Sequence, residues 1–226
     1  MILQFTRPVQ GSLRQSTKLD NIANNLANAD TSGYKKDFIS FDEHLRAQMN
    51  VDLTQGDLKT TNGKMDFALA DEGFFKIQTS HGIRYSRDGH FVLGANGRLE
   101  TPKGDPVMGV DGPIFINGND VQVGETGLIE VDGEAVGQFS IVTLDNLKGL
   151  QKEGTNLFVN KDSNANEVAP ARVSVKQGAL ERSNVNVVEE MSKMIDTHRK
   201  YETFSKVITS FDETDQKLIT EVGRVG

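Results

Sequence analysis

The side chains best suited to proton transfer or metal binding near neutral pH are four histidines, His44, His81, His90 and His198. None stands in an H-x-x-x-H or H-E-x-x-H arrangement, which would place two imidazoles on one helix face. His81 and His90 lie in or beside the turn signals His81-Gly82 and Asp88-Gly89, where a solvated or structural imidazole is expected. Cysteine is absent, so the chain has no thiolate nucleophile, no thiolate metal ligand and no disulfide. No G-x-S-x-G elbow, Walker-type phosphate loop or G-x-G-x-x-G turn occurs. The run Asp162-Ser-Asn-Ala-Asn-Glu167 spaces its oxygens somewhat as a calcium loop does. However, Glu167 stands where the sharp turn needs Gly, and Val173 where the bidentate Glu belongs. Adjacent acids such as Asp71 and Glu72 are ordinary turn residues. No catalytic, cofactor-binding or metal-binding residue is expected, and the chain does not read as an enzyme.

The other polar concentration is made of amides. Asn24, Asn25 and Asn28 fall within five positions, between Ile22 and Leu26 and just beyond. Asn is a poor helix former because its amide competes for backbone groups. Such a cluster at a helix end is either solvated capping chemistry or an amide network read by a neighbouring chain. The element that carries it runs from about Ser12 to Asn28. Ile2, Phe5, Val9, Ser16, Leu19, Ala23 and Leu26 recur at spacings of three and four, although Pro8 and Gly11 weaken the first turns. Asp30 to Gly33 end this helix in a turn.

The second long helix spans Ser183 to Val222, without Gly or Pro. Asn186 and Glu189 have capping-box spacing, Glu189 and Glu190 suit the positive end of the helix dipole, and Gly223 is a natural stop. With Val187 at heptad position a, the a positions continue through Met194, Tyr201, Ile208, Asp215 and Val222. The d positions are Glu190, Thr197, Phe204, Phe211 and Leu218. Most are apolar, which makes a coiled-coil-like seam. A helix of this length extends roughly 55 Å and needs a partner along its apolar stripe. An edge of an ordinary bundle would satisfy that need too, but only one other long helical segment is on offer.

Between the helices the composition changes. Most of the 22 Gly fall between Gly56 and Gly137, and short apolar runs alternate with turn signals such as Asn96-Gly97, Asn117-Gly118 and Asp132-Gly133. Residues 65–144 read as an antiparallel β domain of consecutive hairpins, 34–63 as a connecting arm, 145–170 as looser chain, and 171–177 as one returning strand. The fold class is therefore α+β: a β-rich hairpin domain inserted between long N- and C-terminal helices that pair in a coiled-coil-like shaft. The expected divisions are residues 1–50, 51–177 and 178–226.

The chain has 226 residues and a formal net charge of −7, which argues against nucleic acid or an anionic membrane as the main partner. Arg7, Pro8, Gln10 and Arg14 break any apolar stretch near the start, so no cleaved secretory signal is expected. No apolar run is long enough to span a membrane.

Three stretches carry a resemblance. They are IANNLANADTSGYKK (Ile22 to Lys36), TQGDLKTTNGKMDFALADEGFFKIQT (Thr54 to Thr79) and GALERSNVNVVEEMSKMIDTHRKYETFSKVI (Gly178 to Ile208). In this order they resemble the flagellar axial proteins, the rod and hook family of the bacterial flagellum that includes the basal-body rod proteins. The short middle and the PVMGVDGPI segment are more similar to the proximal rod type, then to the distal rod type, than to the longer hook type. The resemblance implies a structural subunit of the periplasmic rod, exported by the flagellar type III apparatus. Its implied partners are copies of itself and other rod proteins, with terminal segments that order on assembly. The assembly interface expected from the motifs and the seam comprises Ile22, Asn24, Asn25, Leu26, Asn28, Val187, Met194, Tyr201, Phe204, Ile208, Phe211 and Leu218. A secreted β-hairpin adhesion module is the other non-enzymatic reading, and it has little use for two helical seams.

An apolar seam alone tolerates sliding, whereas buried amides penalise every wrong register. Leu at Asn24, Asn25 or Asn28 should therefore keep or raise helix content. Asn25→Leu in particular should give short, mis-stacked or absent rods, scored by motility and basal-body yield. Normal rods from all three variants would reduce the cluster to a solvated cap.

Overall fold

The computed structural model describes residues 2–41, 47–162 and 164–222. His44, Gly223 and the side chains of Leu218 and Val222 lie outside the described part. Two compact units make up the chain. One comprises Met1–Ala27, Asp37–Asn50 and Asn186–Gly226; the other comprises Asn28–Lys36 and Val51–Val185.

The first unit contains helix α1 (Ile2–Ala27), helix α2 (Val187–Val222) and a two-stranded pair formed by Asp37–Phe41 and Ala47–Val51. Asn186 caps α2: its Oδ1 accepts the Glu189 N–H at 3.2 Å, as the capping spacing predicts. Along α2 the less exposed side chains are Glu190, Met194, Thr197, Tyr201, Phe204, Ser205, Ile208 and Asp215. Apart from Ser205, which adjoins Phe204, they follow steps of three, four and seven residues, which keep them on one face. That face meets α1. Gly11 of α1 lies beside Phe204, and Asn25 beside Glu190, so the two helices run antiparallel.

The sequence places the reliable part of α1 after Ser12, but the helix extends back to Ile2 through Pro8 and Gly11. A glycine inside a helix costs about 1 kcal/mol relative to Ala. Here tertiary packing offsets that cost: a Cβ on Gly11 would stand 2.6 Å from Phe204 Cε1, so a larger residue would push the ring out of its place.

The second unit is β-rich. Its main sheet has six antiparallel strands in the spatial order 150–153, 157–160, 82–86, 74–79, 141–144 and 167–168. Strand Phe74–Thr79 shows why both faces are covered. Successive side chains of a strand point to opposite faces. Phe75 and Ile77 therefore enter a core with Phe67, Phe91, Leu99 and Phe139, while Phe74 enters a second core with Tyr85, Leu144, Leu150 and Phe158. The Asp132-Gly133 signal forms its turn as expected. Both residues have positive φ, 52° and 87°, and they join strands Leu128–Val131 and Glu134–Gln138 with two residues, the geometry of a type I′ hairpin.

Two parts of the sequence reading change. Residues 150–160, read as loose chain, form a hairpin that completes one side of the main sheet. The polar arm contributes strand Leu58–Thr60, which pairs with Ala179–Glu181, while Val175–Gln177 pairs with Phe67–Leu69. The strands of the hairpin are only four residues long, and the others are three residues long with partners distant in sequence, so local periodicity carries little signal for them.

Phe75 is fully buried and packs edge-on against Phe91 and Phe139, with ring centroids at 5.3 and 5.4 Å. Phe75→Ala should destabilise the β-rich unit by about 3–5 kcal/mol, read from the urea midpoint at unchanged slope.

Candidate functional site

In the second unit, the residues of the first and third sequence motifs meet around one buried carboxylate. Glu181, at the end of strand Ala179–Glu181, and Lys35 are both fully enclosed, and their side chains pair at 2.6 Å. Glu181 Oε1 also accepts the Gly56 N–H at 3.0 Å, and Lys35 Nζ donates to the Thr54 carbonyl at 2.7 Å. Arg87 approaches the other carboxylate oxygen at 3.4 Å, donates to the Asp71 carbonyl at 2.8 Å and lies over the Phe74 ring. Burial pulls the Lys35 ammonium and the Arg87 guanidinium below their ordinary pKa ranges, and the Glu181 charge pushes back against both shifts.

The backbone reinforces this centre. Gly33 adopts φ +66° and donates its N–H to the Glu181 carbonyl at 2.8 Å; a Cβ there would stand 2.3 Å from the Asp88 nitrogen. Buried Tyr34 carries the Lys152 ammonium over its ring at 3.6 Å, and Lys152 donates to the Lys35 carbonyl at 2.5 Å. Asn184 accepts the Lys36 N–H at 2.8 Å and donates to the Asp52 and Thr54 carbonyls. Every one of these contacts fixes a backbone or neutralises a charge.

In the first unit a second polar centre forms around Asn25. A carboxamide has the donor and acceptor of a peptide group. Asn25 uses both on Asp37: Nδ2 donates to the Asp37 carbonyl at 2.8 Å, and Oδ1 accepts the Asp37 N–H at 3.0 Å. Nδ2 also approaches Glu190 Oε2 at 3.4 Å, and Lys193 donates to Glu190 Oε1 at 3.1 Å. Asn25 and Glu190 are both buried.

The other expected interface residues are distributed unevenly. Ile22 is buried and Leu26 half-buried. Asn24 is exposed, and Asn28 accepts the Thr31 hydroxyl at the turn that ends the helix. Met194, Tyr201, Phe204 and Ile208 are half-buried on the face of α2 described above, whereas Val187 and Phe211 are exposed. The sequence reading missed Lys35, Arg87 and Glu181 as a unit. Lys35 and Glu181 lie inside the quoted motifs, but no periodicity announces a charged pair buried across 146 positions. Of the histidines, His90 pairs with Asp66 at 2.7 Å, His81 sits beside Ser80 in an exposed turn, and His198 faces Glu202 one helical turn away.

In each unit the buried polar groups tie backbone segments together, an arrangement suited to a structural, packing protein. Comparison with known proteins makes the class specific. Residues 11–35 match the flagella basal body rod protein family, residues 68–131 the flagellar hook protein FlgE/F/G D1 domain, and residues 176–221 the flagellar basal body rod FlgEFG protein C-terminal family. The chain is 33% identical over 238 residues to flagellar basal-body rod protein FlgF of Caulobacter vibrioides, covering 95% of this chain and 97% of that one. It is 33% identical over 240 residues to flagellar basal-body rod protein FlgG of Agrobacterium fabrum, covering 88% and 91%. It is 29% identical over 261 residues to flagellar basal-body rod protein FlgG of Bacillus subtilis, covering 97% and 98%. The chain belongs to the flagellar basal-body rod protein family and is FlgF/FlgG-like, a structural subunit of the basal body.

Removing one partner of a buried ion pair leaves an uncompensated charge. Glu181→Gln leaves both Lys35 and Arg87 without their anion and should cost about 3–5 kcal/mol. Lys35→Met leaves Glu181 still facing Arg87 and the Gly56 N–H, so it should cost less. Chemical denaturation of the two variants reads the order directly, and the reverse order would mean that Arg87 does not share the carboxylate.

Proposed function

We propose that this chain builds the rod by self-assembly of its helices α1 and α2, which pair within each subunit as a coiled-coil-like element of the drive shaft. The observation that carries this reading is the burial pattern of α2. Its less exposed residues follow the heptad positions occupied by Glu190, Met194, Thr197, Tyr201, Phe204 and Ile208, on the face that meets α1. The polar members Glu190 and Thr197 interrupt an otherwise apolar stripe, and such interruptions fix register at some cost in stability.

The β-rich unit is, on this reading, an insertion between the two helical segments that gives the subunit its body. The interface residues are those on the seam and in the amide cluster, with Asn25 setting register. The subunit takes the proximal rod position; a distal rod or hook-type place is the alternative. It reaches the periplasmic rod through the flagellar export apparatus and associates there with its own copies and with other rod proteins.

Phe204→Asp or Ile208→Asp would place a carboxylate on the apolar face of the helix pair, where burial without a partner costs several kcal/mol. Either change should abolish incorporation into isolated basal bodies and stop swimming, while the circular dichroism and denaturation of the β-rich unit stay unchanged. Normal swimming with both variants would overturn the shaft assignment.

A further inference from the structure

Where strands Gly82–Ser86 and Leu157–Asn160 meet at Ser86 and Leu157, the β-rich unit holds a cavity of about 110 Å³. Its walls are of two kinds. Phe91, Pro102 and Leu157 supply apolar surface, while Asp88, Asp105 and Thr101 supply oxygen. Hydrogen bonds hold the polar part in place. Asp88 accepts the His90 N–H at 3.0 Å on Oδ1 and the Asn156 side-chain amide at 2.7 Å on Oδ2. The Asp88 N–H donates to Ser86 Oγ at 3.0 Å, and the Ser86 hydroxyl donates to the Asn156 carbonyl at 2.8 Å. In the turn 101–105, the Thr101 hydroxyl oxygen accepts the Asp105 N–H at 3.2 Å, and the Thr101 N–H donates to the Asp105 carbonyl at 2.8 Å.

These carboxylates lack a counter-charge: among the described residues, neither Asp88 nor Asp105 forms an ion pair. The His90 ring turns its Nδ1 to Asp66 instead, at 2.7 Å, and Lys103 is exposed on the 101–105 turn. Burial pushes the Asp88 carboxyl pKa up; the hydrogen bonds from His90 and Asn156 oppose that shift, and the Asp66 charge adds to it. A cation in the cavity would supply what the charged form of Asp88 is missing. The size of the space selects among cations. A cavity of about 150 Å³ takes up benzene, so this one holds roughly four or five non-hydrogen atoms. That is the four-carbon stem and nitrogen of a lysine side chain, without room for the planar guanidinium of arginine. An ammonium has three donors, which Asp88, Asp105 and Thr101 can accept, and its methylenes suit the apolar walls. Among the described residues no three His, Asp or Glu side chains form a metal-sized group, so a bare divalent ion would lack the oxygen ligands it needs.

We propose that this cavity is a binding site for a primary alkylammonium group, the chemistry shared by a lysine side chain and a free aliphatic amine. The ammonium sits between Asp88 and Asp105 with the Thr101 hydroxyl as its third acceptor, and the stem lies along Phe91, Pro102 and Leu157. All of these residues belong to the β-rich unit, so the site stands independently of the assignment of the helix pair to the shaft.

The test is a titration of the isotope-labelled full-length chain with n-butylammonium chloride at constant ionic strength, followed by amide NMR shifts. n-Butanol and sodium butyrate serve as the neutral and anionic comparisons. The expected result is saturable shifts confined to residues 86–91, 101–105 and 156–157, with butanol and butyrate binding at least tenfold more weakly. Asp88→Asn should weaken butylammonium binding at least tenfold. Asp105→Asn, which removes a carboxylate from the turn without touching its backbone hydrogen bonds, should weaken it at least threefold at an unchanged urea midpoint. No saturable shift in the parent chain overturns the proposal. So does butanol that binds as tightly as butylammonium, or undiminished binding by Asp105→Asn. Nα-acetyl-lysine methylamide and cadaverine then separate the two sources. Tighter binding of the blocked lysine assigns the cavity to a lysine presented by another polypeptide, and tighter binding of cadaverine assigns it to a free amine.

Discussion

The buried carboxylate of Glu181 is the constraint around which the β-rich unit closes. A charge removed from water is tolerated only where opposite charge and hydrogen bonds replace the lost solvation. Lys35, Arg87 and the Gly56 N–H supply that replacement from three separate segments. Each segment is held in turn: Lys35 through the Thr54 carbonyl, Arg87 through the Asp71 carbonyl, and the Gly33–Tyr34 turn through the Glu181 backbone and Lys152. Such a pair adds little net stability compared with apolar packing of the same volume. What it adds here is selectivity, because any other arrangement of the segments strands a charge in the interior.

The first unit solves a similar problem with an uncharged group. Asn25 presents a donor and an acceptor to the backbone of Asp37 and reaches toward Glu190 on α2. One side chain thus links α1, the strand that begins at Asp37, and the first turn of α2. Further along the pair, steric fit takes over from polar matching: Phe204 occupies the space that Gly11 leaves open. A polar contact at one end and a shape contact about 20 Å away fix both the axial register and the rotation of the two helices.

The β-rich unit gains its rigidity from a different source. The main sheet is covered on both faces, with aromatic rings edge-on at Phe75, Phe91 and Phe139 on one side and at Phe74 and Phe158 on the other. Tyr85 and Lys76 both engage Glu167 on the far strand of that sheet. Burial works against the Glu167 carboxylate, but hydrogen bonds from Lys76 and Tyr85 outweigh it and hold its pKa below the ordinary carboxylate range.

The sequence by itself determined the features whose causes are local. Asn186 capped α2 because a side-chain oxygen three residues before an orphan N–H can reach it whatever else surrounds the helix. The inward face of α2 was legible because period 3.6 survives a Glu and a Thr within it. The Asp132-Gly133 turn was legible because few residues accept positive φ twice in succession. Asn25 stood out as a member of an amide cluster, yet only the tertiary structure distinguished it, buried, from exposed Asn24 and from Asn28 at the helix-ending turn. Tertiary structure also decided that α1 runs through Gly11, that residues 150–160 complete a sheet, and that Lys35 and Glu181 bury their charges together. The physical reason is common to all three. Each depends on a partner far away in sequence, and the free energy of a residue buried against such a partner is set by the partner and not by the residue's own neighbours.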